Sequence, residues 1–426
     1  MKKILIISPK FPPSNLAGVH RSRLFAQHLP QYGWLPVILT VDEKYYEEAL
    51  DHNLTKLLPG NLRIEKVNAF KISKPKIIGD IGLRGFFQLY KRAKQIIKTE
   101  KIDFLYIPIP SFYVALLGRL LHKSTGISYG IDYIDPWVHK FPGSEKIFSR
   151  HWFSTHIAKV LEPIAVRKAS LITGVAEGYY EGVLNRNPHL KLTAKCGAMP
   201  YGGESLDHKV IKNSNIQPYL FEKNKEVINL IYAGAMLPRA YLPLESILKV
   251  LQNNFSDFQN INFHFIGTGI SSNSTNSYLI KPLAEKYNVW NTIIFEHPKR
   301  IPYLDVLSHL EAANGVFILG STEPHYTPSK VYQAVLAGKP IFAVLHKSST
   351  AVQVIEKSRV GIVLAFDGEK DMTTIENNFL PKAKEYLSFI NHFTPENINT
   401  DAFDKYSAKA VTKKLVDLIE TIVQKT

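Results

Sequence analysis

The chain has 426 residues, of which 45% are hydrophobic and 21% are charged, and its formal net charge is +15. This length predicts two or three domains, and the composition is typical of a soluble globular protein. The single cysteine, Cys196, excludes an intrachain disulfide and a thiolate metal site, and it favours a reducing compartment. We therefore expect a cytoplasmic protein, and the excess of positive charge favours an anionic partner.

Short apolar segments alternate with helical patterns through both halves of the chain. Their β-branched and aromatic residues are typical of strands that are buried on both faces. The alternation predicts an α/β protein with two doubly wound parallel sheets that face each other across a cleft. The predicted strands are 4–8, 37–40, 62–67, 104–107, 129–133, 171–174, 229–233, 262–266, 292–295, 316–319, 341–344 and 361–364.

The first predicted strand leads into a loop and a helix that contain Gly18 and Arg21. The dinucleotide-binding pattern G-x-G-x-x-G is absent there, which argues against a dehydrogenase. Gly18 allows close backbone approach to a ligand, and Arg21 at the start of the helix can meet an anion. A surface turn with a solvated arginine explains the same residues, so the sequence leaves both interpretations open.

Basic residues are concentrated between Lys66 and Lys101, where ten of them stand against only Asp80 and Glu100 as acids. Apolar residues within 86–97 recur at helical spacing, with the cations largely on the other side. Such a helix can lie on an anionic membrane, and a core-facing stripe with a solvated face is the alternative. The concentrated charge favours a membrane-facing surface. No recognisable nucleic-acid motif accompanies it, so we do not expect a nucleic-acid partner.

The strongest candidate site is the sequence GSTEPHYTPSKVYQAVLAGKP at 320–340. It follows a predicted strand, Thr327 is the predicted N-cap of the next helix, and Gly338 suits the end of that helix. A loop that enters a helix at the end of a parallel strand is a ready phosphate site. Lys330 in the first turn adds a positive charge there.

Motifs in a fixed order resemble bacterial glycosyltransferases of the GT-B fold. They are Gly18 after a Pro-Pro pair, FIGTG at 265–269, PSKVYQ at 328–333 and AGKPI at 337–341. The likeness is strongest to the retaining glycosyltransferase family four, and it covers nearly the whole chain. It implies that a hexosyl group is transferred from a nucleotide diphosphate sugar to a hydroxyl with retention, in cell-surface glycan synthesis, without a bound metal or cofactor.

The resemblance also assigns the parts of the chain. Residues 1–205 resemble an acceptor-side domain, and 227–400 resemble a nucleotide-sugar-binding domain. The polar segment 206–226 is the predicted linker between them. Residues 401–426 are expected to form a C-terminal helix that packs back on the N-terminal domain.

The resemblance implies a donor site in the second half. Gly234 and Arg239, in the loop after strand 229–233, are expected to lie under the donor diphosphate, and Gly18 is expected to contribute from the first half. Arg239 and Lys330 stabilise the leaving charge in this assignment, and Ser329 belongs to the same loop–helix junction.

The sequence departs from the family at the carboxylates of this site. In the family one Glu binds sugar hydroxyls, and a second Glu eight residues later binds the nucleotide ribose. Here Gln333 stands at the second position and His325 at the first, with Glu323 two residues earlier. We assign donor binding to Glu323 and Gln333, and the identity of the sugar stays open.

The acceptor side is assigned to the residues after strand 129–133. Asp135 can accept a proton from the acceptor hydroxyl or orient it, and Trp137 can stack on a sugar face. An Asp-Pro turn with a buried tryptophan is the alternative interpretation. Arg21 is assigned to the same acceptor side.

A lipid-linked or glycan acceptor is expected, and contact of 66–101 with an anionic membrane agrees with the basic segment. Three other functions stay open at this point, and one of them, an RNA-binding protein, is favoured by the charge alone. A GT-B sugar-nucleotide epimerase uses the same fold without a second substrate, and a non-catalytic GT-B scaffold accounts for the altered carboxylate pattern.

Overall fold

The computed structural model describes residues 1–72, 78–139, 146–269 and 276–424. The chain forms two compact units. The first unit comprises Met1–Tyr201 together with Ala408–Thr426, and the second unit comprises Gly202–Ser407.

The first unit is built on a seven-stranded parallel sheet with the strand order β3-β2-β1-β4-β5-β6-β7. Its strands are β1 Lys2–Ile7, β2 Trp34–Val41, β3 Arg63–Val67, β4 Phe104–Ile109, β5 Tyr129–Tyr133, β6 Leu171–Gly174 and β7 Lys195–Ala198. Its helices before residue 201 are α1 Ala17–His28, α2 Ile81–Arg84, α3 Phe86–Thr99, α4 Ala115–Thr125, α5 Arg150–Val166, α6 Glu177–Arg186 and α7 Leu190–Thr193.

Both faces of this sheet are covered, as the continuous apolar runs predict. Side chains alternate along a strand, so the two faces of β1 enter different clusters. Leu5 and Ile7 belong to one, here called the first core cluster, while Ile4 and Ile6 belong to another. The six strands predicted in this half are all present, with ends that differ by up to three residues. The edge strand β7 was not predicted.

The second unit is built on a six-stranded parallel sheet with the strand order β10-β9-β8-β11-β12-β13. Its strands are β8 Ile228–Ala233, β9 Ile261–Ile266, β10 Ile294–His297, β11 Gly315–Leu319, β12 Ile341–His346 and β13 Gly361–Phe366. Its helices are α8 Ser205–Lys212, α9 Tyr241–Asn253, α10 Phe255–Phe258, α11 Lys281–Lys286, α12 Tyr303–Ala312, α13 Lys330–Leu336, α14 Thr350–Lys357, α15 Met372–His392 and α16 Thr400–Asp404.

The segment 206–226, which is predicted as a linker, lies within the second unit. Most of α8 falls in it, and Asp207 accepts a hydrogen bond from Tyr303 Oη of α12 at 2.8 Å. Ser308 Oγ of the same helix donates to the carbonyl of Ile216 at 3.1 Å. Polar composition indicated a solvated connection, but these polar groups pair with α12.

The last helix, α17 Ala408–Val423, belongs to the first unit. Its apolar face, including Leu415 and Ile419, packs in the core cluster of Ile4 and Ile6. Glu420 accepts a hydrogen bond from Trp34 Nε1 at 2.9 Å. The predicted return of the C-terminal helix is therefore confirmed. No helix in the described ranges combines the length and apolar character that crossing a membrane requires.

The core of the second unit contains a buried histidine, His264 on β9, that is held in its neutral form. Its Nε2 lies 2.9 Å from Asn229 Oδ1, and its ring stacks on Phe295 with centroids 5.1 Å apart. Burial, and then repulsion from His297 and His309, lowers the pKa of His264 to about 4. The folded state therefore resists protonation at this position.

We expect the free energy of unfolding to fall as the pH falls from about 6.5 toward 4. The unfolded histidine binds a proton near pH 6.5 whereas the folded one does not, so stability is complete above that value and decreases below it. His264 alone should cost about 2 kcal/mol between pH 7.5 and pH 5. Urea titrations at the two pH values measure this change. His264→Gln should reduce the pH dependence, whereas His52→Gln at an exposed site should not.

Candidate functional site

The carboxyl ends of β8 and β11 form the switch point of the second sheet. From this pair the strand order runs outward through β9 and β10 on one side and through β12 and β13 on the other. Ligands of open parallel sheets bind outside the carboxyl ends of the strands at such a point. The loops 234–240 and 320–329, which follow these two strands, are therefore the candidate site of the second unit.

Lys330, the first residue of α13, places an unpaired ammonium group at this edge. Its Nζ is buried and has no hydrogen-bond partner in the described part of the chain, and it lies 3.3 Å from the centre of the Tyr232 ring. Burial lowers the pKa of Lys330 well below its usual value. A buried cation with only an aromatic face beside it is costly, and an anion at this point supplies the missing charge and acceptor oxygens.

Two glycines with positive φ leave room beside this ammonium group. Gly234, after β8, has φ 110°, and Gly267, after β9, has φ 74°. A Cβ atom at Gly234 would lie 3.7 Å from Lys330 Nζ, and one at Gly267 would lie 4.0 Å from Gly234 Cα. Most side chains avoid such backbone conformations, so glycine keeps this corner open.

The backbone N–H groups of these glycines are already used within the sheet. Gly234 N donates to the carbonyl of Ile266 at 2.8 Å, and Gly267 N donates to the carbonyl of His297 at 2.8 Å. The N–H group of Gly234 is therefore not available to a phosphate. The glycine contributes space, and the ammonium group of Lys330 contributes the charge.

Arg239 lies in a short 3-10 turn, Pro238–Ala240, at the end of the loop that follows β8. Its carbonyl accepts a hydrogen bond from Thr322 N at 3.2 Å, which ties the loop after β8 to the loop after β11. Its guanidinium Nη1 is 3.6 Å from Glu369 Oε1, and the Arg239 side chain is 36% exposed. A long, exposed ion pair of this kind is weak, so the guanidinium can reorient toward a stronger anion.

Glu323 follows β11 and is 9% exposed. Its Oε2 accepts from Ser321 Oγ at 3.4 Å, and its own backbone N donates to the same hydroxyl at 3.2 Å. These contacts fix the loop between Gly320 and the helix α13. The carboxylate is therefore positioned by its own loop at the edge of the sheet where the donor site is predicted.

Gln333, on α13, is engaged by a histidine that the sequence did not indicate. Its Oε1 lies 3.0 Å from Nε2 of His208 on α8, and His208 Nδ1 lies 2.7 Å from Glu311 Oε1. One end of the Gln333 amide group is therefore engaged by His208, and the other end is the one that can bind a hydroxyl. Since His208 stands in the predicted linker, no local pattern connected it with α13.

The start of α13 differs from the prediction. The helix begins at Lys330, its N-cap position is Ser329, and no side chain caps it. Thr327, the predicted N-cap, places its Oγ1 2.8 Å from Thr350 Oγ1 of α14 instead. The side chain of Thr327 therefore contacts α14 instead of capping α13, and α13 has seven residues. The positive φ of Gly338, 65°, agrees with the predicted helix end.

The first unit has a cavity at its own switch point, between β1 and β4. The cavity has a volume of about 200 Å³, and Lys10, Asp80 and Ser111 are among its lining residues. Burial raises the pKa of Asp80, which accepts hydrogen bonds from Ser111 Oγ at 2.8 and 2.9 Å. Gly18 also lines it. A Cβ atom at Gly18 would lie 2.9 Å from Pro110 Cδ, so the close approach predicted there is made to Pro110.

Arg21 does not lie in an anion site. Its side chain is fully buried, and it forms a two-pronged ion pair with Asp132 of β5, Nε to Oδ2 at 2.8 Å and Nη2 to Oδ1 at 3.0 Å. Nη1 donates to the carbonyl of Pro200. Burial opposes the charge of Arg21, but the carboxylate outweighs it and raises the pKa. The acceptor-side assignment of Arg21 is therefore wrong, because two of its guanidinium nitrogens already bind an internal carboxylate.

Asp135 and Trp137 have different environments although they are two residues apart. Asp135 follows β5 and is exposed. Trp137 is 6% exposed and stacks on Phe112, with ring centroids 6.0 Å apart and planes 5° apart. Because the indole faces are covered by the core of the first unit, the predicted stacking of Trp137 on a sugar is wrong. Asp135 remains a candidate.

The apolar stripe of the basic segment 66–101 also faces the core. On α3, Leu89, Ala93 and Ile96 are buried in the first core cluster. Part of the positive charge is neutralised locally, as in the pair of Arg92 with Glu65 at 2.6 Å. The apolar side chains therefore do not form a membrane face. Phe70, Ile78 and Phe87, with 58%, 47% and 70% exposure, are the exceptions among the described residues of the segment.

No family model and no curated relative matches the sequence. Solved structures do resemble the chain. The sucrose-phosphate synthase of Thermosynechococcus elongatus has 13% identity and a TM-score of 0.65, over 100% of both chains. A glycosyltransferase from Rickettsia africae has 14% identity and a TM-score of 0.62, over 100% of this chain and 99% of that one. HepE of Anabaena, in complex with UDP and glucose, has 13% identity and a TM-score of 0.61, over 99% of this chain and 100% of that one. This likeness establishes the fold, and it confirms the predicted GT-B class with two parallel-sheet α/β domains.

Proposed function

We propose that this protein is a hexosyltransferase that moves a sugar from a nucleotide diphosphate sugar to a hydroxyl acceptor. The observation that supports this most directly is Lys330, whose buried ammonium group lacks a hydrogen-bond partner at the switch point of the second sheet. A diphosphate is a ligand that satisfies such a group. The shared fold with glycosyltransferases and with a UDP-bound protein supports the same class of donor.

The donor is assigned to the loops after β8 and β11. Lys330 and Arg239 bind the diphosphate, and Gly234 and Ser329 border it. Glu323 accepts hydrogen bonds from the sugar hydroxyls. Gln333, held by His208, binds a ribose hydroxyl through its amide group.

In the proposed transfer, the bond between the anomeric carbon and the phosphate oxygen breaks, and its electron pair stays on the phosphate. Lys330 and Arg239 stabilise that charge, and the low polarity around Lys330 strengthens the effect. The acceptor oxygen forms the new bond to the anomeric carbon, and its proton passes to Asp135 as base. Retention of configuration follows the family resemblance, and no resident metal or cofactor takes part in the proposal.

The acceptor is proposed to be a lipid-linked sugar or a growing glycan in cell-surface glycan synthesis. The cavity of the first unit, beside Asp80, is the proposed place for part of this acceptor. Its carboxyl and hydroxyl groups suit a polyhydroxylated ligand.

Thermal unfolding with a panel of nucleotide diphosphate sugars tests the donor assignment. A donor at a hundred times its dissociation constant should stabilise the protein by about 2.7 kcal/mol. The matching free nucleoside should stabilise it less, because it lacks the diphosphate that Lys330 binds.

Turnover separates the proposal from its rivals. Nucleotide release that rises on addition of a glycan or lipid-linked acceptor supports transfer. Conversion of the donor sugar without any acceptor would indicate an epimerase, and the absence of stabilisation by every nucleotide sugar would indicate a scaffold. Either of these two results contradicts the proposal.

A further inference from the structure

Helix α5 of the first unit has apolar residues on two opposite faces. Its inner face, which includes Ala158, Ala165 and Val166, is buried in the first core cluster. The outer face presents a second apolar stripe, here called the outer stripe: Phe153, Ile157, Val160 and Ile164, with 47%, 45%, 65% and 49% exposure. Since the spacing of four, three and four residues keeps these side chains within one narrow sector, they form a continuous strip.

The outer stripe continues into the residues that precede the helix. Ile147 and Phe148 are 69% and 75% exposed. The Phe148 ring lies 5.6 Å from that of Trp152 and 6.2 Å from that of Phe153, centroid to centroid. An exposed cluster of aromatic and aliphatic side chains this long is uncommon on a protein surrounded only by water.

Among the described residues, the charged side chains beside the outer stripe and at its two ends are positive. Lys146, Lys159, Arg167 and Lys168 are exposed, and none has an ion-pair partner among the described residues. The one acid of α5, Glu162, is fully buried and pairs with Arg186 at 2.8 Å. The outer stripe therefore favours an apolar surface that also carries negative charge.

A cationic cavity lies at the C-terminal end of α5. Its volume is about 380 Å³, and it is lined by Arg167, Lys168, Ser170, His189 and Thr193, with Ala169. Arg167 and Lys168 offer positive charge, which suits a phosphate group, while the hydroxyls of Ser170 and Thr193 donate to backbone carbonyls. Arg167, the C-cap residue of α5, lines this cavity and stands three residues after Ile164, and side chains three residues apart are neighbours on a helix surface.

We propose that the outer stripe rests on an anionic lipid membrane and that the adjoining cavity binds the phosphate of a lipid headgroup. Aliphatic and aromatic side chains enter the interface while the flanking cations meet the headgroups. A second copy of the chain fits less well, because two such cationic faces, each on a chain of net charge +15, repel each other. The proposal moves the expected membrane contact from 66–101 to α5, and it does not depend on the transferase activity.

Co-sedimentation of the full chain with lipid vesicles tests this surface. We expect binding to vesicles of phosphatidylcholine with about 30% phosphatidylglycerol, a fraction of anionic lipid on the order of that in natural membranes. Binding should be weaker at high salt. Phe153→Ser combined with Val160→Ser should raise the lipid concentration needed for half-binding at least about tenfold. Arg167→Glu with Lys168→Glu should reduce binding to the anionic vesicles most.

Matched controls are Phe87→Ser on α3 and Leu206→Ser on α8, which remove exposed apolar side chains elsewhere. Both should bind vesicles like the unmodified chain, and all variants should keep the same thermal unfolding, since the replaced side chains are exposed. Loss of binding in Phe87→Ser alone would place the membrane contact on α3. Failure of the unmodified chain to bind anionic vesicles also contradicts the proposal, as does a lipid-free dimer that the α5 variant dissociates.

Discussion

Lys330→Met is expected to lower kcat of the proposed transfer by about 10²–10³-fold while leaving the free energy of unfolding unchanged or higher. Methionine keeps the apolar stem that packs on Tyr232 and removes only the charge. In the free protein the Lys330 ammonium has no hydrogen-bond partner among the described residues, so its removal relieves a desolvation cost. Steady-state kinetics and urea unfolding of the same preparation measure the two effects.

Lys339→Met is the matched control for this variant. Lys339 is half-buried, and burial lowers its pKa as it lowers that of Lys330, but Lys339 lies just before β12, at the amino edge of the sheet. The Lys339→Met variant should leave kcat and donor affinity unchanged. If Lys330→Met binds the nucleotide sugar and turns it over as well as the unmodified chain, the assignment of the diphosphate to Lys330 would be refuted.

The fold was predictable because buried parallel strands leave a strong local signal. Runs such as those in β1 and β11 are continuously apolar, since helices cover both faces of the sheet. Strand β7, Lys195–Ala198, escaped prediction because it is a four-residue edge strand with a glycine and an alanine. The helix α8 escaped for a related reason: it is short, polar and stabilised by contacts with α12 instead of by an apolar stripe of its own.

The candidate site was predictable only where its chemistry is local. The loop before α13 identified Lys330 and Glu323 from adjacent residues. The ammonium group of Lys330 faces the ring of Tyr232, about a hundred positions earlier in the chain. The hydrogen-bond partner of Gln333 is His208. Sequence separation of this size hides the partner, so burial and hydrogen bonding had to come from the structure.

The same limit explains why Arg21 and Trp137 were misassigned. An arginine at the start of a helix and a tryptophan after a strand look alike whether they face a ligand or the core. The carboxylate of Asp132 lies 111 positions from Arg21, and the ring of Phe112 that covers Trp137 lies on another segment. Residue type and spacing predicted the chemistry available at these positions but not the partner that uses it.

Arg21→Met is expected to lower the free energy of unfolding by about 3–5 kcal/mol. Both side chains of the pair are 0% exposed, so the variant leaves the Asp132 carboxylate buried without its counter-charge. The remaining hydrogen bond, from Thr173 Oγ1 at 2.8 Å, does not replace a cation. Urea unfolding at neutral pH measures the loss, and the nucleotide sugar should still stabilise whatever fraction remains folded.

Two further variants determine whether this loss comes from an uncompensated charge. Arg63→Met removes an exposed arginine that pairs with Glu65 and Glu100, and it should cost less than about 1 kcal/mol. Arg21→Met combined with Asp132→Asn removes both charges and should recover part of the stability lost by Arg21→Met alone. If Arg21 instead served an external anion, Arg21→Met would leave unfolding unchanged and raise KM for the acceptor. The buried fork with Asp132 argues for the opposite result, because a guanidinium that already binds an internal carboxylate through two nitrogens has no free face for a substrate.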